Sequence, residues 1–349
     1  MLLTSYQLGN LTLPNRLVMA PMTRARAVDG KPTAATATYY AQRATAGLIV
    51  TEGVHPSAVS QAGPFMPGLH TADQVEAWRV VTDAVHANGG RIFAQLMHGG
   101  RIGHFEVAGH QPVGPSAIAA KSDVFTTTGM VPAPVPRALT TQEVRDQVQA
   151  FVDASRCAVE AGFDGVELHG ANGYLIQQFL SSNANQREDT YGGSITGRIR
   201  FAVEAAEAAV EAIGADRVGI RLSPGGEVQD IVEADIPRLY DELLKALPDM
   251  AYVHLLATAD DEVLMGLRKA WPTAFILNPG GQIGPHESTR EQGERWLANG
   301  ADLISYGRAY LGNPDLVERF RLGLPLVGAD QETWFQTETG YVDYPSYQH

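Results

Sequence analysis

The sequence predicts a single α/β domain built as a (β/α)8 barrel, the TIM barrel. Three observations support this: short apolar runs bounded by turn residues recur along the chain, longer stretches with helical periodicity separate them, and the 349 residues contain eight such runs. Eight strands with their helices take up about 250 residues, so roughly a hundred are left for additions. We therefore expect one domain over residues 1–349.

Each apolar run has the length of a buried parallel strand. The runs cover residues 16–20, 48–51, 91–96, 165–169, 218–222, 252–255, 275–278 and 303–306. Helices are expected over residues 74–87, 141–161, 201–213 and 236–247. Thr140 and Glu143 have the spacing of a capping box, which indicates that the second of these helices begins there.

Two segments lie outside this repeating pattern. Residues 6–14, with Gly9 and Asn10 at their centre, alternate as in a small hairpin, which is expected to close the bottom of the barrel. Residues 98–139 form a long insertion rich in glycine, proline, serine and threonine, with little helical periodicity. Because the insertion follows the third strand on the face where the strands end, we expect it to be a lid over that face.

Composition narrows the classes of function. A formal net charge of −13 without a basic stripe argues against a nucleic acid or an anionic membrane as partner. The single cysteine, Cys157, cannot form an internal disulfide and suits a reducing cytoplasm. The N-terminus has no signal-peptide pattern and no apolar run could span a bilayer, so a soluble cytoplasmic protein is expected. His98, His104 and His110 match no metal motif, and no metal is expected.

The active site of such a barrel lies at the C-terminal ends of its strands. Glycines after the seventh and eighth strands would let backbone N–H groups approach a phosphate, and an arginine beside them adds charged donors. These residues are Gly280, Gly281, Gly307 and Arg308. Gly-Gly and Gly-Arg steps are also common in ordinary turns, so this pattern alone leaves a simple turn as the alternative.

Several longer motifs resemble the Old Yellow Enzyme family. They are APMTR at 20–24, HGANGYLIQQFL at 169–180, YGGS at 191–194, YGR at 306–308, NPDL at 313–316 and GYVDYP at 340–345. Their order and their spacing on successive strands extend the resemblance over nearly the whole chain. The resemblance implies an FMN-dependent oxidoreductase that uses NADPH or NADH as co-substrate to reduce activated carbon–carbon double bonds, such as those of enones, maleimides and nitroalkenes.

The resemblance also implies roles for single residues. His169 and Asn172 would hydrogen-bond the carbonyl or nitro oxygen of the substrate, where negative charge develops during hydride transfer from flavin N5. Tyr174 would protonate the α-carbon, a task that suits a neutral phenol. Arg221 would face the N1/C2 side of the flavin, and Thr23 would hydrogen-bond near its C4 carbonyl. The other cofactor contacts would come from Pro21, Met22, Gly53 and Gln95, with the phosphate at Gly280, Gly281, Gly307 and Arg308.

The chain departs from the family pattern at three places around the expected pocket. Met97 stands where many relatives have a tryptophan, Phe335 stands where they have a tyrosine, and residues 61–67 lack a further active-site tyrosine. A less aromatic pocket of different shape is therefore expected, which affects the range of substrates more than the class of reaction. Glu52 and Glu167, beside their strand ends, are expected to pair with arginines beneath the flavin.

Other functions known for this kind of barrel have less support. A Schiff-base aldolase needs a lysine at a strand end, and none of Lys31, Lys121, Lys245 and Lys269 lies at one. An iron–sulfur dienoyl reductase needs a cluster of cysteines, which one cysteine cannot provide. A flavin-storage barrel without catalytic activity stays open as the alternative. The sequence is compatible with a monomer or a homodimer.

Overall fold

A closed barrel of eight parallel strands forms the centre of the protein in the computed structural model, which describes residues 1–280 and 288–347. The strands are β1 (Leu17–Met19), β2 (Leu48–Val54), β3 (Ile92–Leu96), β4 (Gly165–Gly170), β5 (Val218–Leu222), β6 (Tyr252–Leu256), β7 (Ala274–Asn278) and β8 (Leu303–Tyr306). Each strand pairs with its neighbour in the chain, and β8 pairs with β1. The predicted fold class and all eight predicted strands are confirmed.

The strand β2 extends further than the sequence predicted. It reaches Val54, and its pairing with β3 shifts register between Val50 and Gly53, as at a β-bulge. All residues of β2 are buried, because the barrel interior covers one face and helices cover the other. The bulge places Gly53 at the C-terminal end of the barrel. A shift in strand register of this kind produces no recognisable sequence pattern, so the extension of β2 could not be predicted.

Helices follow the strands around the outside of the barrel. Those of eight or more residues are Ala34–Ala41, Ala72–Ala87, Thr141–Glu160, Ile195–Ile213, Ile236–Ala246, Asp261–Ala270 and Arg290–Ala298, and shorter ones are Phe105–Ala108, Leu175–Leu180, Arg308–Gly312 and Leu316–Leu322. The capping box of Thr140 and Glu143 is confirmed. The helix predicted from residue 201 begins at Ile195, since the Ser194 hydroxyl accepts from the Gly197 N–H and caps an earlier turn. None of the helices in the described ranges is long and apolar enough to cross a membrane.

The predicted N-terminal hairpin is confirmed. Strands Tyr6–Leu8 and Leu11–Leu13 pair antiparallel around Gly9, whose φ of 52° lies in the left-handed region. Leu8 and Leu13 are fully buried against residues from the first halves of several barrel strands, among them Leu48 and Leu303. The hairpin therefore closes the N-terminal end of the barrel with apolar side chains.

The insertion over residues 98–139 is more ordered than its composition suggested. It contains an antiparallel hairpin, Asp123–Thr126 with Gly129–Pro132, and a short pair of strands, Val113–Gly114 with Arg137–Ala138. Its apolar residues Ile102, Ala120 and Val124 form a small cluster that Tyr174, after β4, packs against. The insertion thus borders the C-terminal end of the barrel.

Candidate active site

A cavity of about 730 Å³ opens at the C-terminal ends of the strands. The structure brings all the predicted site residues that it describes to the wall of this one cavity: Pro21, Met22, Thr23, Gly53, Gln95, His169, Asn172, Tyr174, Arg221, Gly280, Gly307 and Arg308. The predicted Gly281 lies outside the described residues. Residues from seven strand ends therefore meet at the C-terminal face, where barrels of this fold have their active sites.

The loop after β1, which carries Thr23, is held by a buried carboxylate. Glu52 Oε2 accepts hydrogen bonds from the backbone N–H groups of Arg24 at 3.2 Å and Ala25 at 3.3 Å. Burial raises the pKa of Glu52 to about 7, although these bonds and the nearby arginines act in the opposite direction. The prediction of an ion pair was wrong in its geometry, because the carboxylate binds the backbone of the arginine and not its guanidinium.

Beneath the cavity, a hydrogen-bonded network surrounds the fully buried Glu167. Its carboxylate accepts from Gln95 Nε2 at 2.8 Å and from the hydroxyl of Tyr252 at 3.1 Å, and it lies 2.8 Å from His254 Nδ1. Burial opposes ionisation, but His254, Arg221 and these hydrogen bonds lower the pKa of Glu167. The predicted arginine pair is corrected here as well: Glu167 hydrogen-bonds His254, and Arg221 contributes only its charge.

Arg221 places a buried positive charge at the floor of the cavity. Its side chain is 5% exposed, and its Nε has no hydrogen-bond partner among the described residues. Burial lowers the pKa of Arg221 to about 10, so the guanidinium remains charged at neutral pH. Leaving a buried charged donor unpaired is costly, which indicates that a bound molecule supplies the missing acceptor.

His169, at the end of β4, is held as a neutral hydrogen-bond donor. Burial, followed by the charges of Arg221 and His254, lowers the pKa of His169 well below its usual value. Its Nδ1 accepts from the backbone N–H of Ala171 at 3.3 Å, which assigns the ring proton to Nε2. The His169 ring lies 5.0 Å from that of Tyr174, measured between centroids.

The turn that follows β4 presents Asn172 and Tyr174 to the cavity. Asn172 has a left-handed φ of 56°, and its N–H donates to Ser223 Oγ at 3.1 Å. Gln177 supports the same turn, since its Oε1 accepts from the N–H of Gly173 at 2.8 Å. The described residues offer the Asn172 amide no side-chain partner, so it is available to a ligand. Loss of water around the phenol raises the pKa of Tyr174, which keeps it protonated.

The opposite side of the cavity combines glycines with a second arginine. Gly280, Gly307 and Arg308 follow the adjacent strands β7 and β8, next to Met22 after β1. Ser288 also lines this side, close enough that a Cβ added to Gly280 would lie 2.7 Å from its hydroxyl oxygen. Ser288 was not predicted from the sequence, because it stands beyond the glycines in a stretch without a recognisable sequence pattern.

A wall from the C-terminal segment completes the cavity. Trp334 and Phe335 line it, and two arginines from the loop after β1 hold the segment in place. Arg24 donates to the carbonyls of Trp334 at 3.0 Å and Gly340 at 2.8 Å, and Arg26 donates to that of Trp334 at 3.1 Å. Of this wall only Phe335 was predicted from the sequence, as a departure from the family pattern.

Met97, which stands where many relatives have a tryptophan, forms part of the cavity wall. It is buried, lines the cavity and packs with Ala62 and Met66, and Tyr174 packs against this cluster. A Cβ on Gly53 would lie 2.5 Å from Met97 Sδ, so the lack of a side chain at Gly53 leaves the space that Met97 fills. Methionine side chains are flexible and fill irregular space, which makes this wall adaptable.

The residues present fit an FMN. The buried Arg221 with an unpaired Nε can pair with a polar ring edge, while Arg308 with Gly280 and Gly307 can hold an anionic group on the other side. Within residues 1–280 and 288–347, no group of three or more histidine, cysteine or acidic side chains could bind a metal ion.

Comparisons with known proteins identify the family of the chain. The chain matches the NADH:flavin oxidoreductase / NADH oxidase family over residues 2–326. 12-Oxophytodienoate reductase 1 of Oryza sativa subsp. japonica is 40% identical over 362 aligned residues, which cover 99% of this chain and 92% of the relative.

Solved structures show the same relationship. An old yellow enzyme homologue from Zymomonas mobilis has a TM-score of 0.94 and 40% identity, with 99% of each chain covered. Morphinone reductase in complex with tetrahydroNAD has a TM-score of 0.92 and 39% identity, covering 99% of this chain and 98% of that one. The chain therefore belongs to the NADH:flavin oxidoreductase / NADH oxidase family, with old yellow enzymes among its structural relatives, and is an FMN-dependent oxidoreductase with a nicotinamide co-substrate.

Proposed function

We propose that this protein is an ene-reductase that uses NADPH or NADH to reduce the activated double bonds of enones, maleimides and nitroalkenes. The observation that carries the proposal is the convergence of two neutral hydrogen-bond donors, His169 and Asn172, and a protonated phenol, Tyr174, on one cavity. The relatives named 12-oxophytodienoate reductase and morphinone reductase are, by their names, reductases that act on carbonyl compounds.

FMN would be held by Arg221 at one side of the cavity and by Gly280, Gly281, Gly307 and Arg308 around its phosphate. Pro21, Met22, Thr23, Gly53 and Gln95 would contact the ring. When bound, FMN supplies the hydride that adds to the β-carbon of the substrate. The carboxamide of Gln95 has a fixed orientation for a contact with the ring, because its Nε2 donates a hydrogen bond to Glu167 Oε1 at 2.8 Å.

His169 and Asn172 would bind the oxygen atom that is conjugated with the double bond. Negative charge develops on this oxygen as the β-carbon is reduced, and donors placed before the reaction stabilise that charge without reorganising. The neutral His169 donates through Nε2, while the Ser223 and Gln177 contacts fix the turn of Asn172. Loss of one such donor typically lowers the rate by about 10²- to 10³-fold.

Tyr174 would deliver the proton to the α-carbon. A raised pKa keeps the phenol protonated at neutral pH, and its position against Met97 and the insertion shields it from water. We infer that the insertion over residues 98–139 acts as a lid, since its apolar cluster lies directly on this tyrosine. Exclusion of water would protect the reducing equivalents and strengthen the hydrogen bonds in the site.

Separate measurement of the two half-reactions tests the proposal. In anaerobic stopped-flow experiments, Tyr174→Phe should be reduced by NADPH or NADH at the rate of the unmodified protein but should reduce 2-cyclohexenone about 10²- to 10⁴-fold more slowly. Tyr6→Phe, in the hairpin at the other end of the barrel, is the matched control. Equal losses in both half-reactions would refute the role of Tyr174.

The oxygen-binding pair has its own test. Replacing both His169 and Asn172 with alanine should weaken the binding of phenols, whose phenolate oxygen imitates the developing charge, in a spectral titration. Unchanged phenol affinity would contradict the assignment. A yellow protein that neither nicotinamide can bleach would instead support the flavin-storage alternative.

A further inference from the structure

Gln229, in the loop after β5, lines the cavity but has no role in the reaction described above. Its backbone φ of 62° and that of the next residue, Asp230, at 58°, both lie in the left-handed region. Two successive non-glycine residues in this conformation are unusual, and such strain persists only where surrounding contacts enforce it.

The loop lies directly against the turn that carries Tyr174. A Cβ added to Gly173 would lie 2.6 Å from the Cβ of Gln229 and 2.7 Å from the carbonyl oxygen of Val228. Gly173 also has a φ of 80°, so both space and conformation require glycine at this position. The two segments therefore approach each other more closely than residues with side chains could.

A buried arginine from the insertion fixes the loop in this position. Arg101 Nη2 donates to the carbonyl of Gln229 at 3.2 Å and to that of Asp230 at 2.6 Å. Asn183 Nδ2 donates to the same Asp230 carbonyl at 2.7 Å. Because Arg101 is fully buried and donates to both carbonyls, it holds the backbone of Gln229 in place.

The side chains of Gln229 and Tyr174 line the same cavity, and Gly173, directly before Tyr174, is the residue that meets Gln229. The Gln229 side chain acts to lower the pKa of Tyr174, in opposition to the larger effect of burial. An amide N–H has this effect on a phenol when it faces the phenolic oxygen and stabilises the phenolate. An amide in that role leaves the hydroxyl proton of Tyr174 free to point into the cavity.

We propose that Gln229 is a positioning residue whose amide orients the Tyr174 hydroxyl toward the substrate and stabilises the phenolate that remains after proton transfer. The inference rests on the proposed function of Tyr174. As the O–H bond breaks and a C–H bond forms at the α-carbon, the electron pair of the O–H bond stays on the phenolic oxygen. Water later returns a proton to that oxygen. The amide of Gln229 is the neutral donor beside the charge that appears in this step.

Gln229→Leu removes the donor and keeps a side chain of similar size. Since hydrogen bonds to charged groups are stronger than neutral ones, we expect a ten- to a hundredfold slower reduction of 2-cyclohexenone, with flavin reduction by NADPH or NADH and FMN content unchanged. Gln149→Leu makes the same replacement at an exposed glutamine of the helix Thr141–Glu160, outside the cavity, and should leave both rates unchanged. An unchanged rate of alkene reduction in Gln229→Leu would overturn the inference.

A double-mutant cycle distinguishes action through Tyr174 from a general structural effect. If Gln229 acts through the phenol, Gln229→Leu should cause no further loss in the Tyr174→Phe background. An additive loss would overturn the inference. If Tyr174→Phe itself leaves alkene reduction intact, the proposed proton donor fails instead, and this result is visible without the Gln229 variants.

The pH profile of alkene reduction gives a second readout. The titratable groups near this phenol and its partner are His169 from β4, and Arg101 with Asp230 behind Gln229. The variant leaves these groups in place but removes the donor that favours the phenolate. The alkaline limb of the profile should therefore move to higher pH in Gln229→Leu, and a limb at the same pH as in the unmodified protein would contradict the inference.

Discussion

Glu52 gives the protein a pH dependence of stability that can be calculated from the structure. Its carboxylate is 3% exposed and is bonded to the backbone of Arg24 and Ala25. Burial raises its pKa from 4.5 to about 7 in the folded protein. In the unfolded chain the carboxyl is in water, so its pKa returns to the ordinary value.

Between these two pKa values the folded state binds more protons than the unfolded state. The stabilisation is therefore complete below the unfolded pKa of 4.5 and is lost as the pH rises through the folded value of about 7. One pKa unit corresponds to about 1.4 kcal/mol, so the free energy of unfolding should fall by roughly 3 kcal/mol across this window. Glu52→Gln keeps the size of the side chain and an oxygen acceptor but removes the titration.

Urea unfolding of the FMN-saturated proteins at several pH values measures this effect. The stability of the unmodified protein relative to Glu52→Gln should decline by roughly 3 kcal/mol between pH 4 and pH 8. Glu143→Gln is the control, because Arg137 and Thr140 lower the pKa of the surface residue Glu143 to about 2 and its contribution has the opposite sign. That contribution should be small, since solvent screens an exposed ion pair. Parallel pH profiles for the unmodified protein and Glu52→Gln would refute the reasoning.

Three further predictions follow from buried or strained positions. Arg221→Met should raise the dissociation constant of FMN by ten- to a hundredfold in a fluorescence titration, because a charged donor is lost. An unchanged constant would contradict the proposed contact of Arg221 with the ring. Burial lowers the pKa of His98 from 6.5 to about 4, so the stabilisation of the protein by the neutral ring is complete above pH 6.5 and is lost as the pH falls toward 4. In His98→Gln the free energy of unfolding, measured in urea, should therefore fall less steeply between pH 6.5 and pH 4. Gly173→Ala should lower the free energy of unfolding by about 1–3 kcal/mol, because its φ is positive and the new Cβ would meet Gln229. Gly89→Ala is the control and should cost less, since Gly89 also has a positive φ but has no other residue within 4 Å of an added Cβ.

The barrel could be predicted because each strand carries its own evidence. A run such as 218–222 is short, apolar and bounded by turns, and neither its neighbours nor the rest of the fold need to be known to recognise it. The site residues at strand ends followed from this assignment together with the family motifs. Helix ends were less accurate where a cap such as Ser194 stands a turn before the apolar pattern begins.

The parts that the sequence did not reveal depend on contacts between distant segments. Arg24 holds the carbonyl of Gly340, 316 residues further along the chain, and no local pattern encodes that pairing. Gln229 approaches Tyr174 only because Gly173 lacks a side chain and Arg101 fixes the loop. These interactions depend on the closed barrel, so they can be identified only when the barrel is assembled.

The charges in the site form one connected arrangement. Glu167, ionised and buried, supports the positive charge of Arg221 beneath the cavity. Burial, followed by that positive charge, lowers the pKa of His169 and keeps it neutral. A protonated His169 would place a second cation beside Arg221, whereas the neutral ring still donates through Nε2 and costs less to bury. The same guanidinium would therefore offer a donor to the flavin and, in addition to burial, help to keep neutral the residue that would bind the substrate. A change at Arg221 should consequently alter substrate binding as well as cofactor binding, although Arg221 need not touch the substrate.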